Sequence, residues 1–273
     1  MVIIILHILN NTNYIILAFL ATLLTYLLTM LGSISVFLFK KVNEKIMSFM
    51  FGFGAGVMIA ASFFSLILPA INQLESNDKT SGWITVVSGF LCGGLFILLI
   101  DLLMPHLHIN SEKTEGIKTK FSKKILLVLS ITLHNIPEGM AIGVAFASAY
   151  LNIPGSTYIS ALMLAIGIGL QNIPEGMAVS LPLRTEGMSR KKAFFYGQAS
   201  GIVEPIAGVI GAVLVSFVSQ LLPFVLCFAS GAMIYVVAEE LIPSGKTNDK
   251  NKFGTIGVIV GFAIMMALDI ALS

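Results

Sequence analysis

The chain alternates long apolar runs with short polar stretches, and the runs recur from one end to the other. Eight can be drawn, at about Tyr14–Phe39, Ile46–Ala70, Trp83–Leu107, Ile125–Tyr150, Tyr158–Leu183, Ala193–Leu221, Leu222–Ile242 and Phe253–Ser273. Each supplies the roughly 20 residues a helix needs to cross bilayer hydrocarbon. The pattern predicts an all-α polytopic membrane protein with eight transmembrane helices. The opening stretch MVIIILHILNN lacks the basic start of a cleaved signal peptide, so residues 1–13 read as an apolar lead-in to the first span. The longest hydrophilic stretch, roughly His106 to Lys124, leaves no room for a soluble domain. A single transmembrane domain over residues 1–273 is expected, with 108–124 as a loop.

Composition sharpens this reading. Hydrophobic residues make up 56% of the chain and charged residues only 11%, against about 25% charged in soluble domains. Fifteen of the sixteen basic residues fall in alternate loops: Lys40, Lys41 and Lys45; Lys113, Lys118, Lys120, Lys123 and Lys124; Arg184, Arg190, Lys191 and Lys192; Lys246, Lys250 and Lys252. Only Lys79 lies on the other side. Cytoplasmic loops retain positive charge, so both termini are expected outside. The net charge of +2 reflects those inward lysines and points to no nucleic-acid partner. Cys92 and Cys227 both sit inside apolar runs and read as packing residues, not as a disulfide or a cysteine metal cluster.

Against this background one stretch is printed twice. LHNIPEGMAIG begins at Leu133 and LQNIPEGMAVS at Leu170, 37 residues later. An uncharged outer link near NIPGST joins the two spans, so they are expected to run antiparallel. At 1.5 Å per residue, His134 lies roughly 15 Å into its helix and Gln171 roughly 20 Å, which places both copies near mid-membrane. Glu204, in GIVEPIAG, reaches the same level. Residues four apart share a helix face, so His134 aligns with Glu138 and Gln171 with Glu175. The proline of each copy clashes with the carbonyl four residues back, at Leu133 and Leu170, so both spans are expected to kink there. Freed backbone oxygen at that depth is tolerated where it lines a wet cavity.

Glutamates in hydrocarbon are costly unless a cation or a proton neutralises them. One imidazole, carboxylates and amides make a cation site, and histidine with carboxylates suits zinc and its divalent neighbours better than magnesium or calcium. Other acids extend the line: Asp101 and Glu239–Glu240 near inner ends, Asp269 in the outer half of the last span.

HNIPEG followed by QNIPEG on consecutive spans resembles the ZIP (Zrt/Irt-like) family of divalent-metal transporters. The glutamine in the second copy, with DLLMPHLH, GIVEP and VVAEELIP, is similar to its GufA-like branch. The resemblance implies a mid-membrane centre for one or two Zn²⁺ ions carried as substrate, with no organic cofactor. His134, Glu138, Gln171 and Glu175 match its first site. Asn135, Glu138, Asn172, Glu175 and Glu204 match its second, where Asn172 replaces the aspartate of relatives. With three glutamates, one divalent ion leaves a charge of −1 and two leave +1, which favours one. Asp101, His106, His108, Glu239 and Glu240 match the exit region, and Asp269 with Ser65 the entrance. GFGAG and GVIGA permit close helix contacts, in keeping with the alternating access the resemblance suggests.

The expected function is import of Zn²⁺, with Fe²⁺, Mn²⁺ or Cd²⁺ as further substrates, across a bacterial cytoplasmic (inner) membrane. Expected partners are divalent ions, the lipid bilayer and, in a homodimer, a second copy. An intramembrane metalloenzyme is disfavoured because the H-E-x-x-H pairing is absent. A proton-coupled carrier of an organic solute would need an aromatic or arginine cluster at the motif depth, and none is written there.

Overall fold

Asparagine starts the first two helices: the Asn13 side chain accepts from the Ile15 amide at 2.8 Å and the Asn43 side chain from the Lys45 amide at 2.9 Å. Each satisfies an amide that the first turn leaves without a partner. The computed structural model describes residues 11–39, 43–77, 82–103, 123–154, 156–185, 187–217, 221–246 and 252–272. Over these, every regular element is helical.

In chain order α1 is Tyr14–Leu38. Helix α2 is Glu44–Ala61, continued through a π-helical turn at Ser62–Ile67 into Leu68–Asn77. Helices α3, α4 and α5 are Gly82–Leu103, Lys123–Tyr150 and Tyr158–Thr185. Helix α6 is Arg190–Ala199, tightened to a 3₁₀ turn at Ser200–Ile202 before Val203–Phe217. Helix α7 is Leu222–Val236, a π-turn at Val237–Leu241 and Ile242–Gly245, and α8 is Phe253–Leu272. All but α4 are apolar and long enough to cross a membrane, and α4 equals α5 in length at 28 residues.

Several helices outrun the apolar runs that announced them. The second continues past Ala70 to Asn77, the sixth starts at Arg190 instead of Ala193, and the seventh ends at Gly245 instead of Ile242. Hydropathy registers only the greasy part of a rod, whereas backbone hydrogen bonding continues into its polar ends. Helices α4 and α5 run on through Pro137 and Pro174 without losing helical assignment on either side.

Aromatic contacts fix the relative directions. Tyr14 stacks on Tyr150 at 4.5 Å and Phe146 meets Tyr158 at 6.4 Å, so the start of α1, the end of α4 and the start of α5 share one end of the bundle. Phe37 and Phe194, 5.6 Å apart, join the end of α1 to the start of α6 at the other. Helices α4 and α5 are therefore antiparallel, as the short link between them required.

Four parallel pairs carry the closest packing: α1 with α5, α4 with α6, α3 with α7 and α2 with α8. Each is a glycine seam. Gly176 lies on the Thr29 carbonyl, Gly139 on Glu204, Gly93 on Phe228 and Gly56 on Val258, and a side chain at any of them would strike the partner's backbone. Where lipid replaces water there is no hydrophobic drive between helices, so close backbone approach supplies the contact energy. The outer surface is apolar, with Trp83, Leu91, Leu95 and Leu99 of α3 and Ile256, Ile259 and Ile270 of α8 exposed. That is the surface hydrocarbon solvates.

Candidate metal site

Polar side chains in this bundle are buried inside the helix packing. His134, Asn135, Glu138, Gln171, Asn172, Glu175 and Glu204 are all buried, Glu138 at 1% exposure and Glu204 at 0%. The i, i+4 spacing brings His134 and Glu138 into one cavity with Glu175 from the facing helix. The π-turn of α7 adds a fourth group, because its extra residue re-aims the helix face and Glu240 lines the same cavity. Phe51, Ile131, Val236 and Leu241 wall it, and about 10 Å³ remains for the centre of a water-sized body. That is room for one such body.

Hydrogen bonding divides the buried oxygens into two groups. Among the described residues, Glu138 Oε2, Glu175 Oε1 and Asn135 Oδ1 are buried without a hydrogen-bond donor. Glu204 is the opposite case. Its Oε2 accepts from Asn172 Nδ2 at 2.9 Å and from the Thr25 hydroxyl, and its Oε1 accepts from Thr29 Oγ1 at 3.3 Å. Asn172 also donates to the Thr25 carbonyl at 3.3 Å and accepts from Gln171 Nε2 at 2.8 Å. Gln171 lies beside both Glu138 and Glu175, and Asn135 beside Glu175, without giving Glu138 Oε2 or Glu175 Oε1 a hydrogen bond. The 3₁₀ turn before Glu204 leaves the Ser200 carbonyl to accept from Asn135 Nδ2 at 3.1 Å.

The carboxyl groups are close neighbours: Glu138 lies near Glu175 and Glu204, and Glu175 near Glu204 and Glu240. No three His, Cys, Asp or Glu side chains among the described residues are gathered closely enough to hold an ion by themselves.

The other sequence-predicted residues fall in separate places. Ser65, in the π-turn of α2, donates to Asp269 Oδ2 at 2.9 Å, and Asp269 borders a second cavity of about 280 Å³ with Asn72, Thr157 and Ser160, at the end of the bundle where α5 starts. Asp101 is buried in α3, where Tyr235 Oη donates to its Oδ2 at 2.8 Å. It does not line the central cavity. Glu239 is exposed although its neighbour Glu240 is buried. His106 and His108 lie outside the described residues.

The sequence matches the family described as ZIP zinc transporter over residues 12–123 and 108–269. The chain belongs to the ZIP family. It is 38% identical to the zinc transporter ZIP11 of Xenopus tropicalis, over 93% of this chain and 96% of that one. It is 36% identical to the zinc transporter GufA of Myxococcus xanthus, over 92% and 97% of the two chains. It is 35% identical to the zinc transporter ZupT of Clostridium perfringens, over 94% and 96%. The GufA-like character read from the motifs is thus supported along nearly the whole chain, and the family is one of transporters, not enzymes.

For this ZIP-family chain the motif reading brings together His134, Glu138 and Glu175, with Asn135 and Gln171 alongside. It missed Thr25 and Thr29 of α1 and Tyr235 of α7. A signal for the threonines was present: Thr22, Thr25, Thr29 and Ser33 form a polar stripe at three- and four-residue spacing on an otherwise apolar helix, and all four are buried. Tyr235 has no such signal.

Proposed function

We propose that this ZIP-family chain carries divalent transition-metal cations, Zn²⁺ first and Fe²⁺, Mn²⁺ or Cd²⁺ after it, into the cytoplasm through the cavity of His134, Glu138, Glu175 and Glu240. The observation that carries the reading is the set of buried acceptors without donors, Glu138 Oε2, Glu175 Oε1 and Asn135 Oδ1. An unsatisfied buried carboxylate costs several kcal/mol or more, and a divalent cation removes that cost for all of these oxygens at once. Imidazole, carboxylate and amide donors suit zinc and its neighbours. Room for one water-sized body supports an ion over an organic solute.

In this reading α4 joins the other seven helices as an eighth span, the whole of residues 1–273 is a single transporter domain, and both termini face outside. The lysine-bearing loops, 108–124 included, then face the cytoplasm, and the membrane is a bacterial inner membrane. Bends at Pro137 and Pro174 turn the Leu133 and Leu170 carbonyls toward the ion path. The Ser65–Asp269 pair receives the ion outside, and Glu239, Asp101, His106 and His108 pass it on inside. The four glycine seams let each pair move as a unit during alternating access.

Uptake of ⁶⁵Zn into proteoliposomes, with Glu138→Ala and Glu175→Ala as comparisons, tests this function. Loss of uptake in both variants is expected, and unchanged uptake in both refutes the site. Competition by Fe²⁺, Mn²⁺ and Cd²⁺ in the same vesicles ranks the substrates.

A further inference from the structure

Glu204 is set apart from the other central carboxylates by what surrounds it. It does not line the central cavity, although His134, Glu138, Glu175 and Glu240 do. Both its oxygens are engaged by protein donors: the Thr25 hydroxyl, Thr29 Oγ1 at 3.3 Å and Asn172 Nδ2 at 2.9 Å. Gly201 packs against the same carboxylate. A methyl group added at Gly201 would lie 3.0 Å from Glu204 Oε1 and equally near the Thr29 side chain. The Asn172 oxygen is also taken, by Gln171 Nε2 at 2.8 Å. Of the three residues that would belong to a second ion alone, Asn172 and Glu204 thus have all three of their side-chain oxygens hydrogen-bonded inside the protein, and only Asn135 Oδ1 is left without a donor.

The hydroxyls are aimed by their own helix. Thr25 Oγ1 also reaches the Thr22 carbonyl at 2.9 Å, and Thr29 Oγ1 the Thr25 carbonyl at 3.3 Å. That placement of Oγ1 over the carbonyl one turn back belongs to one threonine rotamer, and in it the single hydroxyl proton is shared between that carbonyl and Glu204 across the α1/α6 contact.

We propose that Thr25 and Thr29 are positioning residues that hold Glu204 out of the coordination shell, so that the central site takes one divalent ion and not two. This rests on the transport reading above. It also gives a reason for single occupancy that charge alone does not. Glu240 raises the formal count in and around the cavity from three carboxylates to four, a charge that two divalent ions would balance. Single occupancy therefore follows from which oxygens are free. A second ion at Glu204 would have to displace two hydroxyls and an amide, all of them fully buried.

The experiment counts Cd²⁺ bound to the purified full-length chain in lipid nanodiscs by equilibrium dialysis and elemental mass spectrometry. The central contribution is the number of ions lost when Glu138→Gln and Glu175→Gln are introduced together into each background. Wild type is expected to lose one. Thr25→Val with Thr29→Val, which removes both hydroxyls and keeps the side-chain volume, is expected to lose two. Thr25→Ser with Thr29→Ser, which keeps the hydroxyls, is expected to lose one. A loss of two in wild type, or of one in the valine background, overturns the inference and leaves the transport reading standing. A loss of zero in wild type overturns the transport reading itself. Should the valine pair not yield folded protein, Thr29→Val alone removes the longer bond and is read in the same way, alongside the wild-type count.

Discussion

Asn172 donates its amide to Glu204 at 2.9 Å, and the bond ties the second repeated motif on α5 to the carboxylate of α6. A residue that the motif comparison marks as a substitution for aspartate is here a hydrogen-bond donor. Its side chain neutralises nothing, yet it gives a fully buried carboxylate a hydrogen-bond partner.

Replacing Asn172 by Asp removes that donor and sets a second carboxylate against the first. A hydrogen bond to a buried charged group contributes about 1.5–3 kcal/mol, and the repulsion of the new carboxylate adds to its loss. The Asn172→Asp variant is therefore expected to melt below wild type in the absence of metal. Added Cd²⁺ is expected to recover more of the loss than the same concentration adds to wild type, because a ligand that binds only the folded state stabilises it by mass action. Thermal denaturation in detergent, with and without Cd²⁺, measures both. Equal metal-induced shifts in the two proteins would contradict the assignment of Asn172 as a donor to Glu204.

Glu239 and Glu240 are adjacent in sequence and opposite in environment. Glu240 is 2% exposed and lines the central cavity, whereas Glu239 is exposed. Glu240→Gln is expected to lower ⁶⁵Zn uptake by on the order of tenfold or more, in the range that loss of a group supporting a metal site produces. Glu239→Gln is expected to have the smaller effect of the two. Initial uptake rates in proteoliposomes separate them, and an equal loss in both would remove the reason for distinguishing them.

Much of this was legible before any coordinates. Apolar runs separated by lysine loops named the helices, since bilayer thickness fixes their length. The duplicated motif named His134, Glu138 and Glu175, because a four-residue step on a helix returns to the same face. The environment of Glu240 was not legible. Hydropathy and regular helix periodicity put it with Glu239 at an inner end, and only the π-turn at Val237–Leu241 brings it to the cavity. Thr25 and Thr29 were readable as a stripe but carry no charge, and hydroxyls in a membrane helix usually bond their own backbone. Their role depends on Glu204 arriving from 175 to 179 residues away, a relation no local pattern encodes.

Ser65 gives Asp269 Oδ2 a hydroxyl at 2.9 Å beside the second cavity. A hydrogen bond to a charged group contributes about 1.5–3 kcal/mol. Ser65→Ala is expected to loosen that carboxylate and raise the KM for Zn²⁺ several-fold, with the maximal rate changed less, because in the proposed path the pair receives the ion and the central cavity holds it. Concentration-dependent uptake gives both parameters. A fall in maximal rate at constant KM would place Ser65 in the transport step instead.

The glycine seams make a prediction about which small residues the fold requires. At Gly139 an added Cβ would lie 2.5 Å from the Glu204 carbonyl oxygen and 2.9 Å from its Cα. Backbone on both sides leaves nothing flexible to yield, so α6 must move away from α4 and take Glu204 with it. Overpacking of this kind costs about 1–3 kcal/mol. At Gly94 of α3 the nearest atom to an added Cβ is the Gly231 carbonyl oxygen at 3.6 Å, an ordinary contact. There alanine gains up to about 1 kcal/mol in helix propensity. Gly139→Ala is thus expected to lower both melting temperature and uptake, while Gly94→Ala keeps both or raises the first. The comparison isolates close approach from glycine content, since both substitutions add the same methyl group to a helix. Equal stability of the two variants would mean that the α4/α6 seam does not set the distance between Glu204 and the motif glutamates.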